Sequence, residues 1–175
     1  MNEILMYARH NQAVNRTIYD LLDKLSNKDR EKNRGSYYGS LSGLFRHILG
    51  GACYYLKIYK KPLSNNAGVV DKISAVENLP KIPAGPLKVA QWKDLESVMT
   101  VIDSACISIA EALKDYDMKL PVNVDWYNGN PPSVPLFFML SQLLVHNVHH
   151  RGQISQILDS LKIENDFSRI DVSFL

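Results

Sequence analysis

Four stretches of this chain repeat apolar residues at spacings of three and four, and each runs for about 20 residues or more. The first covers about Asn2 to Leu25, with Ile4, Ala8, Ile18, Leu22 and Leu25 on one stripe. The second covers about Ser40 to Tyr59 and aligns Leu44, Ile48, Gly51, Tyr55 and Ile58. The third, about Gln91 to Lys114, has the cleanest pattern: Leu95, Val98, Met99, Ile102, Cys106, Ile109 and Leu113. The fourth, about Pro135 to Leu161, aligns Leu136, Met139, Leu143, Ile154, Ile157 and Leu161. A helix with one apolar stripe must bury it against another element, so four such stripes predict an all-α four-helix bundle. With 175 residues, 46% of them hydrophobic, there is material for one core. No repeat, low-complexity tract or composition break divides the chain, so residues 1–175 read as a single domain.

The connections differ in kind. Asp29 to Gly39 is charged and holds the adjacent pair Tyr37 and Tyr38. Lys60 to Ala90, about 30 residues with Pro62, Pro80, Pro83 and Pro86, is long enough to cross the bundle end to end, so the second and third helices need not be antiparallel neighbours. Before the fourth helix, Val122, Val124 and Trp126 alternate with Asn123 and Asp125, and Asn128-Gly129 supplies a turn. That pattern predicts a short strand and a hairpin, with Pro131 and Pro132 weakening its second arm.

Charge removes some functions. There are 20 Lys+Arg against 18 Asp+Glu, a net charge of +2, with the two signs interspersed. A nucleic-acid binder would show a basic stripe or tail, so none is expected as a partner. Two cysteines, Cys53 and Cys106, both in apolar helical segments, fit a reducing cytoplasm better than a secreted disulfide scaffold. The start of the chain lacks the basic-then-apolar pattern of a signal peptide, and no run approaches the roughly 18 apolar residues that span a bilayer. A soluble cytoplasmic protein without membrane contact is the expectation.

The histidines carry the chemistry. Of five, three crowd into one turn and a half: His146, His149 and His150. At about 100° per residue, His150 falls inside the apolar stripe of the fourth helix, among Met139, Leu143 and Ile157. His146 lies at the stripe's edge, about 40° from His150, with Gln153 close by, while His149 points about 60° the other way. The inward pair is therefore His146 and His150, spaced i and i+4, so that both rings can converge on one ion. Two buried imidazoles need their ring nitrogens satisfied, and a divalent metal satisfies one on each at once. The alternative for an isolated pair is two core-edge histidines hydrogen-bonded to their surroundings. His47 shifts the balance toward metal: it lies beside the second stripe, among Gly43, Gly50 and Gly51. Glycines in a helix need a reason, such as close approach of a neighbour or room beside a ligand. Three histidines from two helices leave coordination positions open, as in reactive rather than structural sites.

Other residues carry weaker signals. Asn11 and Asn15 fall inside the first apolar stripe, where buried amides must be hydrogen-bonded. They orient histidines, line a pocket, or tie helices together. Tyr54, seven residues past His47, is placed to hydrogen-bond a ligand at the site or to pack at the core edge. Arg151, at the stripe's far edge, reads as a surface or inter-subunit ion pair, or as a contact for an anionic substrate group. No fourth metal ligand stands out, since Cys53 is about 120° from His47 on the wheel and Cys106 lies in the third core stripe. His10 and His149 have no Ser or Cys partner in sequence that makes a nucleophile–base pair.

The run His146-Asn147-Val148-His149-His150-Arg151-Gly152-Gln153 closely resembles the His-x-x-His-His-Arg-Gly-Gln signature of the DinB family, regarded as metalloenzymes. Asn33 to Ser40, leading to His47-Ile48-Leu49, is similar to that family's Gly-Ser-x-x-x-Thr-x-x-His-Ile lead-in to its second helix. Gly129 to Pro135 resembles the turn before its fourth helix. The resemblance covers nearly the full chain. It implies an up-down-down-up four-helix bundle, one divalent metal ion, zinc or nickel, on His47, His146 and His150, and a homodimer. One departure is His10-Asn11-Gln12-Ala13-Val14-Asn15, where relatives read Tyr-Asn-x-Trp-Ala-Asn: both asparagines are kept and both aromatics are lost.

Characterised relatives include thiol-dependent transferases, which makes a thiol S-transferase acting on a small-molecule thiol and a small electrophile the first expectation. A neutral three-imidazole site leaves the full charge of the ion to lower the pKa of a bound thiol or water. A hydrolase using metal-bound water is the nearest alternative, and a non-catalytic, stress-associated metal-binding protein is the next.

Overall fold

A computed structural model describes residues 3–124 and 132–174 of the chain. The structure is mostly helical, with four long helices where the apolar stripes lie. They are α1 (Glu3–Asp23), α3 (Leu41–Lys60), α5 (Val89–Ala112) and α6 (Leu136–Ser160). Two shorter helices lie between them, α2 (Asn27–Glu31) and α4 (Ala67–Glu77).

Local chemistry sets several boundaries. The Ser40 hydroxyl accepts the Gly43 N–H at 3.0 Å and starts α3, and the Asn66 side chain accepts the Val69 N–H at 3.2 Å and starts α4. At the start of α5 the Gln91 side chain reaches back to the Lys88 N–H at 2.9 Å. The end of α6 is a Schellman turn: Lys162 N–H donates to Asp159 O at 2.9 Å and Ile163 N–H to Leu158 O at 3.0 Å. Lys162 takes φ 57° there, where glycine is usual.

Among the long helices, α1 packs on α5 and α3 packs on α6, with further contact between α3 and α5. Ile18, Leu22, Leu44, Ile48, Ile102, Met139 and Ile154 are fully enclosed in the shared core. Trp92 of α5 is also fully buried. It stacks on Tyr19 at 5.1 Å between ring centroids and donates its indole N–H to Asp23 at 2.9 Å. Arg30 of α2 lies over the Trp92 ring, 4.2 Å from its centre, which explains a buried arginine in a five-residue helix.

The long second connection is not all loop. Within it α4 buries Val69, Ile73 and Val76 and packs on α3 and α5, while the four prolines all lie outside that helix. The strand expected before α6 is present and paired. β1 (Pro121–Asn123) runs antiparallel to β2 (Ser133–Pro135), with Val122 opposite Val134 and both buried. Pro121 faces Pro135 at the end of a two-stranded ladder, where a missing N–H costs little. Trp126, the Asn128-Gly129 turn and Pro131 lie outside the described residues. Among the described residues no helix is long and apolar enough to cross a membrane.

Candidate metal centre

α3 and α6 bring His47, His146 and His150 together: each offers one ligand nitrogen, and these atoms all lie within 4.8 Å of one another. Ring centroids are 4.8 Å apart for His47 and His146, 4.5 Å for His47 and His150, and 4.6 Å for His146 and His150. His47 Nε2 and His146 Nε2 face each other at 2.9 Å. His150 is buried, and the other two are half-buried.

The glycines around His47 explain how the rings approach so closely. A Cβ on Gly51 would lie 2.6 Å from His146 Cε1, so the imidazole occupies the space that any side chain there would take. A Cβ on Gly43 would meet the Tyr38 carbonyl oxygen at 2.0 Å. That close passage seats the loop before α3, which turns through Gly35 and Gly39 at positive φ. The loop lays the Tyr38 ring flat on His47, 3.7 Å between centroids, and edge-on to His150 at 5.4 Å. Gly50, by contrast, has nothing within 4 Å of its Cβ position.

The cluster favours neutral imidazoles. Burial, reinforced by the neighbouring His150 and His146, lowers the His47 pKa from 6.5 to about 4. His146 and His150 are lowered as well, chiefly by burial, and each is partly offset by a hydrogen bond, from Asn147 and Gln153 respectively. Gln153 Oε1 lies 2.8 Å from His150 Nδ1, so it leaves Nε2 of that ring for other work. Three neutral nitrogen donors are the ligand set that zinc and its neighbours prefer. Ligand nitrogens around a tetrahedral ion with bonds of about 2.0–2.1 Å stand about 3.3 Å apart, inside the 2.9–4.8 Å range here. The residues present fit a divalent transition metal.

The other sequence candidates fall into two groups. Asn11 and Asn15 are buried on α1 and both donate to Asp103 of α5, at 3.2 Å and 2.8 Å. Asn11 also accepts from Asn147 of α6 at 2.8 Å. These bonds tie α1 to α5 and α6. Arg151 is not the surface residue its place at the stripe's edge predicts: it is 2% exposed, and its Nη2 donates to Asn11 Oδ1 at 2.5 Å and Asn15 Oδ1 at 3.0 Å. The wheel placed it at the edge of its own stripe, but α1 closes over that edge with two amide oxygens and Asp103 supplies the countercharge. Tyr54 is half exposed and meets Tyr55 edge-on. Tyr55, buried, lies 6.0 Å from the His146 ring.

His149 is exposed, with its ring 4.8 Å from His150 and outside the cluster. His10 is buried, and its Nδ1 has no partner among the described residues. Both cysteines are free thiols whose pKa burial raises, the reverse of what a reactive thiolate needs. Asn147 and Asp103 were not singled out from the sequence, and Tyr38 stood out only as one of two adjacent tyrosines in the first connection. Asp103, next to Ile102 and four residues past Met99, was the one signal available for the carboxylate. A cavity of about 290 Å³ is lined by Tyr7, Asn11, Tyr59, Cys106 and Asn147 among others, and none of the three histidines borders it.

No curated protein and no solved structure matches the chain. The model of the DinB family matches residues 1–161. With that match, and with the three imidazoles where its signature puts them, the chain belongs to the DinB family.

Proposed function

We propose that this protein binds one divalent metal ion, zinc or nickel, through His47, His146 and His150, and that the centre catalyses S-transfer from a small thiol to a small electrophile. The observation that carries the reading is the incomplete ligand set. Among the described residues the cluster has three members, all neutral, and no carboxylate or thiolate joins it. A bound divalent ion supplies positive charge that lowers the pKa of a thiol or water reaching an open position. The chain's own residues do the rest. The three imidazoles hold that charge without neutralising it, Gln153 orients His150, and Tyr38 walls the site beside His47 and His150. In the transfer a sulfur–carbon bond forms, the bond from that carbon to its leaving group breaks, and the thiol proton passes to solvent.

The test is to load the protein with zinc or nickel and offer low-molecular-weight thiols with alkyl and epoxide electrophiles. Thioether formation that disappears in His47→Ala supports the transferase. Substrate cleavage without thiol, with solvent oxygen in the product, replaces it with a hydrolase. A tight ion with neither reaction leaves a non-catalytic metal-binding protein. We further propose an up-down-down-up four-helix bundle for α1, α3, α5 and α6, and a homodimer. The pairing is supported by Phe137, Val145 and Val148, which stand exposed along α6, and sedimentation at micromolar concentration tests it.

A further inference from the structure

Behind the centre, a chain of buried amides runs from the core to His146, and the chemistry of its ends sets which way each amide is turned. Asp103 is 2% exposed. Its carboxylate only accepts, taking the Nδ2–H of Asn15 at 2.8 Å and of Asn11 at 3.2 Å. Both amides must then turn their oxygens the other way, where Arg151, which only donates, supplies Nη2–H to each. Asn11 Oδ1 also accepts Nδ2–H from Asn147 at 2.8 Å. With its nitrogen committed, Asn147 presents Oδ1 to His146 Nδ1 at 3.4 Å. An amide oxygen accepts only from N–H, so this contact is a hydrogen bond when the proton of His146 sits on Nδ1 and its Nε2 carries the lone pair. That is the atom 2.9 Å from His47 Nε2.

We infer that Asn147 is a positioning residue: held by Asn11, Asp103 and Arg151, it keeps His146 in the Nδ1–H form with Nε2 free to bind an ion. This rests on the proposed metal-binding reading and deepens it. Gln153 does for His150, from the next turn of α6, what Asn147 does for His146. The two orienting groups differ in what holds them. Asn147 is 2% exposed and anchored through α1 to a carboxylate on α5, so three helices must keep their relative positions for His146 to keep its proton in place. In the metal-free protein His47 is then the donor of the imidazole pair, with its proton on Nε2, and it is the ligand that must shift a proton to Nδ1 before an ion binds.

The alternative role for the network is to tie α1, α5 and α6 together and nothing more. Long-range proton–nitrogen correlation spectra of the histidine side chains, recorded without metal, separate the two. In the wild type His146 is expected as the Nδ1–H form and His47 as the Nε2–H form. Asn147→Ala should give mixed tautomers at His146, and its zinc dissociation constant, read by competition with a chromophoric chelator, should rise about 10–100-fold. Asn147→Ser, with a shorter side chain, replaces the alanine variant if that one does not fold. A wild-type His146 that is mainly Nε2–H overturns the inference, as does an alanine variant with unchanged tautomer and affinity. Because the tautomer is read without metal, a wild type that takes up no zinc contradicts the proposed function and leaves this result standing.

Discussion

Two adjacent glycines in α3 differ in what a methyl group would do to them. At Gly51 it would collide with the His146 ring, and at Gly50 it would point into open space. Gly51→Ala should therefore displace His146 and weaken metal binding at least tenfold, measured by chelator competition. Gly50→Ala should leave binding alone and stabilise the fold by about 0.5–1 kcal/mol in urea unfolding. Acid sensitivity is also set residue by residue. The folded state refuses His47 a proton that the unfolded chain accepts between pH 6.5 and about 4, so stability present above that window is lost as pH falls through it. His146 and His150 act in the same direction. Asp103 opposes them: burial raises its pKa from 3.8 to about 6, eased by Asn15, Arg151 and Asn11, so acidification over that range favours the fold. The urea midpoint of the metal-free protein should fall between pH 7 and pH 5, and fall less in His47→Gln. Equal slopes would contradict this. The inward pair His146 and His150 was legible on a helical wheel, because their direction relative to one apolar stripe is a property of one helix. Arg151 and Asn147 were not, because what stands opposite them on α1 and α5 is a property of three.

At the scale of elements, the polar ties between helices are as specific as the apolar ones. Asp103→Ala leaves the buried Arg151 guanidinium without its countercharge and frees two amides that were satisfied. The expected cost is about 3–5 kcal/mol, seen as a lower urea midpoint with the helical circular dichroism of the folded state retained. The Schellman turn at the end of α6 offers a change of opposite sign. Lys162→Gly relieves a left-handed lysine and should stabilise by about 1 kcal/mol, with metal content unchanged. Long elements were readable from periodicity: the four stripes and the helices α1, α3, α5 and α6 coincide to within a few residues. α4 was not read, although Asn66 caps it and Val69, Ile73 and Val76 have helical spacing. At 11 residues, between prolines, its stripe is too short to stand out from the connection that contains it. The ladder of β1 and β2 was partly readable, since Val122 and Val124 alternate with polar residues, whereas its second arm is only Ser133 to Pro135.

For the molecule as a whole, the core positions the site and the site explains the departures from a plain core. α3 and α6 pack closely enough to bring histidines 99 residues apart into contact. A glycine makes room for one imidazole, and a loop aromatic lies flat on another. None of these features is needed to bury apolar surface, and together they describe a held, neutral, three-nitrogen ligand set. The most direct measurement is metal content. The protein, purified without a metal-binding tag and loaded with zinc or nickel, is analysed by elemental mass spectrometry alongside His47→Ala, His146→Ala, His150→Ala and His149→Ala. About one equivalent in the wild type and in His149→Ala, lost in the other three, is the predicted result. A wild type that holds no ion after loading, or an ion that survives loss of any of the three clustered histidines, would contradict the account.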